Sequence, residues 1–341
     1  MENIGVVGAG SWGTTLANLL AVKGYRVDLW VFEKDLVEII EKEKENKYFL
    51  PGFKLSDNIY PSNSLEKVVS GKDILVMVVP SQVYRNVARQ MIPFFKDDAV
   101  VVSASKGIEN ETLLTMTGVW QEVLSGVKKK IEIATLGGPS FAREVIREIP
   151  TAVTLASTYP SLARKLQKIF STPYFRVYTS TDKIGVELGG ALKNVIAIAA
   201  GITDGLGFGH NTRAALITRG LAEMIRLGVK MGAQPLTFAG LSGIGDLLLT
   251  CTGDLSRNRT VGLKLGQGKS LSEILENMKM VAEGVATTKS VYNLSKKMEV
   301  EMPIATSVYK ILFEGKEPME ALRELMDREL KAELSEVISP L

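Results

Sequence analysis

The chain has 341 residues but a single cysteine, Cys251, and a single histidine, His210. One cysteine excludes an intramolecular disulfide and suits a reducing compartment. One histidine argues against a histidine metal cluster, so no metal is expected, and it leaves one candidate for imidazole acid–base chemistry. Charge of one sign is also missing: 41 Lys and Arg against 38 Asp and Glu leave a net charge of +3, which does not imply nucleic acid or an acidic membrane as partner. No apolar stretch reads as long and charge-free enough to span a bilayer. The N-terminus carries neither a basic n-region nor a signal-type apolar core, because strand-like sequence begins at once. What is present is apolar residue in quantity, 45% of the chain, enough for large cores at a length that favours two domains.

The first half alternates strand-like and helix-like runs. Strands are expected near 3–8, 26–31, 74–79, 99–103, 131–136, 151–156 and 174–179, with helices between them. The run Ile74-Leu75-Val76-Met77-Val78-Val79 is continuously apolar, as a strand buried on both faces requires. This alternation predicts an α/β fold, a Rossmann-type doubly wound and mostly parallel sheet. After about residue 182 only helical periods remain, near 184–203, 212–232, 258–267, 285–298, 303–314 and 317–328. We therefore expect a dinucleotide-binding domain over 1–181 and an all-helical, substrate-binding domain over 182–341.

The first strand runs into Gly8-Ala9-Gly10-Ser11-Trp12-Gly13, which opens a helix. This is the dinucleotide fingerprint in its required setting. Gly8 permits a tight turn, Gly10 lets backbone approach a pyrophosphate, and Gly13 lets helix and strand pack closely. At the end of the second strand, Phe32-Glu33-Lys34 offers an acid for a ribose hydroxyl and a base for a 2′-phosphate, and the residues alone leave both open. Asp28 lies too early in the unit for that task. Lys106, after a later strand, stands at the edge where open sheets bind ligand. Gly137-Gly138-Pro139-Ser140-Phe141-Ala142 reads equally as a binding loop or as an ordinary strand-to-helix turn.

In the second half, Gly189-Gly190-Ala191-Leu192-Lys193-Asn194 lies in a helix that is apolar or small almost all round. A lysine buried there is costly and tends towards a lowered pKa, which suits a general acid or base. The loop at 240–246 delivers Asp246 at a helix start, either as a helix-terminal charge or as a partner for Lys193. Ser256-Arg257-Asn258-Arg259 gathers a hydroxyl, an amide and two guanidinium groups at a helix N-terminus, a set that suits a phosphate dianion. His210 reads as a loop histidine and Cys251 as a small buried hydrophobe.

Taken together these motifs resemble the bacterial NAD(P)-dependent sn-glycerol-3-phosphate dehydrogenases over nearly the whole length. The resemblance rests on GAGSWGT at 8–14, FLPG at 49–52, VVPS at 78–81, SKG at 105–107, GGPSFA at 137–142 and GGALKN at 189–194. It continues through TRGLAEM at 218–224, GIGD at 243–246, TCT at 250–252, SRNR at 256–259, VAEG at 281–284 and EMPI at 301–304. It implies Lys193 as proton acceptor and Lys106, Gly138, Ser140, Asp246, Ser256, Arg257 and Asn258 at glycerol phosphate. It also implies Ser11, Trp12, Lys106, Ala142, Arg257, Val281 and Glu283 at NAD(H) or NADP(H). The family usually has arginine or histidine where this chain has Phe32, which weakens the case for NADP(H). The resemblance further implies a cytoplasmic homodimer supplying phospholipid synthesis. Rival two-domain dehydrogenases need a histidine–glutamate pair or a reactive cysteine, and a cofactor-sensing regulator has no use for a buried central lysine.

Overall fold

The computed structural model describes residues 2–278, 282–330 and 332–333. The chain forms two compact units: one takes Met1–Lys106 with Met116–Lys183, the other Gly107–Thr115 with Ile184–Leu341. The short excursion at Gly107–Thr115 is a feature that a single boundary near residue 181 does not contain.

The first unit is built on eight strands: β1 Ile4–Val7, β2 Val27–Trp30, β3 Ile59–Ser62, β4 Ile74–Met77, β5 Val100–Ser103, β6 Glu132–Gly137, β7 Thr151–Ser157 and β8 Phe175–Ser180. Their order is β3-β2-β1-β4-β5-β6-β7-β8. Every pairing is parallel except β6 with β7. β1, β4 and β5 are buried at every position, which is why they read as unbroken apolar runs. Strand order reverses at β1, between β2 and β4, so a crevice is expected outside the carboxyl ends there. β2, β1, β4, β5 and β6 run the same way, so the turns that follow them share one edge. The sequence patterns miss β3. It is four residues long, holds Pro61, and lies at the sheet margin, where a residue without an N–H is tolerated.

The second unit is helical. Its centre is the helix Lys183–Gly205, buried from Gly185 through Thr203. By length and composition this helix is apolar enough to cross a membrane, with a mean hydropathy of 1.3 and 94% of the window buried. That corrects the expectation that no stretch qualifies: its charged residues are too few to lower the average, and its apolar surface is spent inside the fold. The helix Arg257–Gly266 lies against it through paired glycines. A Cβ on Gly201 would stand 2.0 Å from the carbonyl oxygen of Arg259, and one on Gly262 would stand 2.0 Å from that of Ile198. Gly205 and Gly266 meet in the same way one turn further on. The two backbones are thus in direct contact, closer than any side chain permits. Around this pair pack His210–Lys230, Glu283–Met298 and Pro303–Phe313. Glu223, 1% exposed, accepts from the N–H groups of Ile304 (2.6 Å) and Ala305 (3.1 Å), so its carboxyl caps the Pro303–Phe313 helix.

Two outcomes follow from this packing. Gly262→Ala forces the glycine-paired helices apart and lowers unfolding free energy by about 3 kcal/mol; a loss below about 1 kcal/mol in chemical denaturation would contradict the contact. Burial raises the Glu223 pKa from 4.5 to about 7, against the two amides that favour its charged form. Its folded pKa is therefore raised. The stability it contributes is fully present below about pH 4.5 and is lost as pH climbs through about 7, in total on the order of 3 kcal/mol. Tm measured from about pH 5 to 8 should fall in the parent relative to Glu223→Gln; parallel profiles would reject the assignment.

Candidate active site

In the first unit the glycine turn after β1 is set by sterics and by one asparagine. Gly8 has φ +115°, and a Cβ there would lie 2.5 Å from the Val78 carbonyl oxygen. A Cβ on Gly13 would lie 1.9 Å from the oxygen of Gly8. Gly10, by contrast, has nothing within 4 Å of its missing Cβ. It caps the helix Ser11–Val22 with no side-chain bond, and a helix N-terminus of this kind favours an anion. Trp12 Nε1 is buried without a hydrogen-bond partner. An open face at Gly10, a helix start without a side-chain cap and an orphaned indole donor together fit the pyrophosphate-bearing group that the motif implies. Fully buried Asn46, absent from the sequence reading, donates to the carbonyl of Ala9 (2.7 Å) and to Thr14 Oγ1 (2.8 Å), and accepts from Phe49 N (3.0 Å). Ser11 Oγ donates to the Phe49 carbonyl at 2.7 Å, so this hydroxyl secures the neighbouring loop.

The other turns on that edge are tied to one another. Ser105 Oγ donates to the Val79 carbonyl (2.5 Å), joining the segments after β4 and β5. Lys106 Nζ donates to the Gly138 carbonyl (3.1 Å), and Ser140 Oγ donates to the same oxygen (3.0 Å). Gly138 has φ +131° with Val153 Cα 3.0 Å from its missing Cβ, so the glycine is required there. Ala142 opens the short helix Ala142–Val145, and its carbonyl lies 3.4 Å from Thr15 Oγ1. Phe32, 73% exposed, and Glu33 follow β2.

In the second unit Lys193 is 6% exposed, so its side chain does not snorkel to water. Its Nζ donates to Asp246 Oδ1 at 2.5 Å and to Thr250 Oγ1 at 2.8 Å. Asp246 is 0% exposed and heads the helix Asp246–Thr252, with Thr250 one turn along on the same face. The glycine-rich stretch before it is a π-helical turn, Leu241–Gly245, where a loop was expected. Gly189, one turn before Lys193, admits that turn: its Cβ would stand 2.0 Å from the Ser242 carbonyl oxygen. The lysine and its carboxylate therefore meet because a glycine clears the way between their elements.

Asn194 projects to the adjoining face, where its Oδ1 accepts from Asn258 Nδ2 at 2.9 Å. Asn258 Oδ1 accepts in turn from Gly284 N at 2.9 Å, so this amide is spent on holding three helices together. Asn258 can still meet an anion through its backbone N–H in the first turn of the Arg257–Gly266 helix. Ser256 caps that helix by accepting from Arg259 N (3.2 Å), which takes up one amide of its first turn. Arg257 is exposed. The atoms packed round its guanidinium still lower its pKa, while the Glu283 carboxylate works the other way. Its charge persists at neutral pH. Arg259, counted in sequence with the anion-binding set, is instead bound to Asp204 (2.8 Å) and Asp254 (3.0 Å). Val281 lies outside the described residues. His210 is exposed and is the first residue of its helix rather than a loop residue. Burial pushes the Cys251 thiol up to about 12, which leaves no thiolate at neutral pH.

Comparison with known proteins agrees across the chain. The family model for the NAD-dependent glycerol-3-phosphate dehydrogenase N-terminus matches residues 3–163, and that for the C-terminus matches residues 182–323. The glycerol-3-phosphate dehydrogenase [NAD(P)+] of Syntrophobacter fumaroxidans is 62% identical, covering 97% of each chain. That of Geobacter sulfurreducens is 60% identical, over 97% of this chain and 99% of its own. The crystal structure of glycerol-3-phosphate dehydrogenase from Coxiella burnetii superposes with a TM-score of 0.91 at 39% identity, covering 96% of this chain and 99% of that one. With both halves matched by their own models, and with relatives this similar over their full length, the chain belongs to the NAD-dependent glycerol-3-phosphate dehydrogenase family.

Proposed function

We propose that this chain interconverts dihydroxyacetone phosphate and sn-glycerol 3-phosphate with NAD(H) or NADP(H), and that Lys193 is its proton-transfer residue. The observation that carries the reading is the buried Lys193–Asp246–Thr250 set, one residue along the chain from an asparagine bonded to the helix that Arg257 heads. A nicotinamide, when bound, supplies or accepts the hydride at carbon 2. Gly8, Gly10, Ser11, Trp12 and Gly13 would hold its pyrophosphate side, and Phe32 and Glu33 would border its adenine side. Ala142, Arg257, Val281 and Glu283 would complete its surroundings.

Asp246 and Thr250 each take one N–H of Lys193 Nζ and so fix the direction of the ammonium. In reduction the ammonium gives a proton to the carbon-2 oxygen as negative charge develops there. In oxidation the amine takes that proton back from the hydroxyl. Arg257, with the N-terminal amides of its helix and the Ser256 cap, would hold the phosphate. Lys106, with Gly138 and Ser140, would border the rest of the substrate. Anchoring the remote phosphate turns binding energy into orientation at carbon 2.

The same reading takes the enzyme to be a cytoplasmic homodimer that feeds glycerophospholipid synthesis. The family resemblance supports this, and the one inert, buried cysteine suits a reducing compartment. Sedimentation at the mass of one 37.1 kDa chain would overturn the dimer.

Lys193→Ala should lower kcat by about a thousandfold while fluorescence titration still detects NADH binding; turnover near that of the parent would remove the lysine from the mechanism. Arg257→Ala should raise the KM for dihydroxyacetone phosphate by about tenfold or more, with a smaller change in kcat. An unchanged KM would put the phosphate elsewhere.

A further inference from the structure

The segment after β2 is held more firmly than a surface turn needs. Trp30 Nε1 donates to the carbonyl of Asn63, 3.1 Å away. The Asn63 amide donates in return to the carbonyls of Val31 (2.8 Å) and Phe32 (2.7 Å). One side chain, from the residue after β3, therefore fixes the two peptide groups that carry the chain out of β2. The rings of Trp30 and Phe32 meet edge-on at 6.1 Å, which holds the exposed Phe32 in place.

Glu33 follows. It occupies the cap position of the Lys34–Glu43 helix with extended backbone, yet its carboxylate makes no capping bond. The helix does not use that carboxylate, which is therefore left for another donor. Asp35 stands in the first turn, and the Tyr48 hydroxyl bonded to it lowers its pKa. The field of Glu33 also reaches Tyr48, whose pKa is raised chiefly by Asp35. Two carboxylates thus stand beside one cation, Lys34, and no arginine occurs from Trp30 through Glu43. In open α/β sheets this position receives the adenine-side ribose, where a carboxylate accepts from its hydroxyls and an arginine accommodates a 2′-phosphate. A phosphate dianion would meet net negative charge here.

Building on the dinucleotide reading of the first unit, we propose that the Val31–Glu33 turn selects NADH over NADPH, with Glu33 receiving the ribose hydroxyls and Asn63 acting as the positioning residue that holds the turn. Calorimetric titration of the full chain should give a Kd for NADH at least about tenfold below that for NADPH. Equal or inverted affinities would overturn the selection. Asn63→Ala should weaken NADH binding by about fivefold or more, with the kinetic loss falling on the KM for NADH and leaving the KM for dihydroxyacetone phosphate in place. If that variant binds NADH like the parent, or loses both KM values together, Asn63 has no positioning role. Phe32 is exposed, so Phe32→Arg should fold, and it should tighten NADPH about tenfold; no gain for NADPH would count against the turn as the selector. Binding of neither dinucleotide would bring down the reading of the first unit itself, an outcome distinct from binding both without preference.

Discussion

A buried ammonium is tolerable only when an opposite charge and further acceptors replace the water it has lost. In the helical unit Asp246 and Thr250 provide that replacement for Lys193. The requirement reaches outward through the unit. The carboxylate has to arrive at the buried face of the central helix, so the π-helical turn before it must touch that helix, and Gly189 must have no side chain. The Arg257–Gly266 helix has to lie against the next face, so Gly201, Gly205, Gly262 and Gly266 remove the side chains that would separate the two backbones. Much of the glycine in this half thus serves close approach inside helices rather than turning.

The sheet unit answers a different constraint. Its glycine turn after β1 leaves open space at Gly10, and a turn with nothing inside it has few contacts of its own. Asparagines from elsewhere supply the order. Asn46 grips the glycine turn, and Asn63 grips the end of β2. Lys106 and Ser140 converge on one carbonyl oxygen to steady the Gly138 turn. Each of these side chains holds backbone, so the surface offered to a ligand is made largely of peptide groups held from behind.

This division explains what was legible in the sequence. β1, β4 and β5 announced themselves because burial on both faces leaves uninterrupted apolar runs. The glycine fingerprint and the buried lysine of an oily helix announced themselves because each breaks a local pattern. β3 stayed hidden, since four residues that include Pro61 carry no period. Asn46 and Asn63 act on residues 37 and 32 positions away, and such bonds leave no local trace. Arg259 misled for the opposite reason. Its neighbours in sequence suggested an anion, while its partner Asp204 lies 55 residues back along the chain. The sequence grouped Asn258 with an anion set, and it could not tell that the side chain bonds Asn194 and Gly284.

The excursion at Gly107–Thr115 carries a consequence for how the polypeptide is made. Ile108 is 0% exposed within the helical unit, and its carbonyl accepts from Ser290 Oγ, 182 residues further on. Residues emerging early from the ribosome therefore depend on a helix synthesised much later. The sheet unit must close around both ends of this segment while it is still uncovered. A cut at the apparent domain border would separate Ile108 from the shelter it was made to enter, and neither fragment would inherit a finished interior.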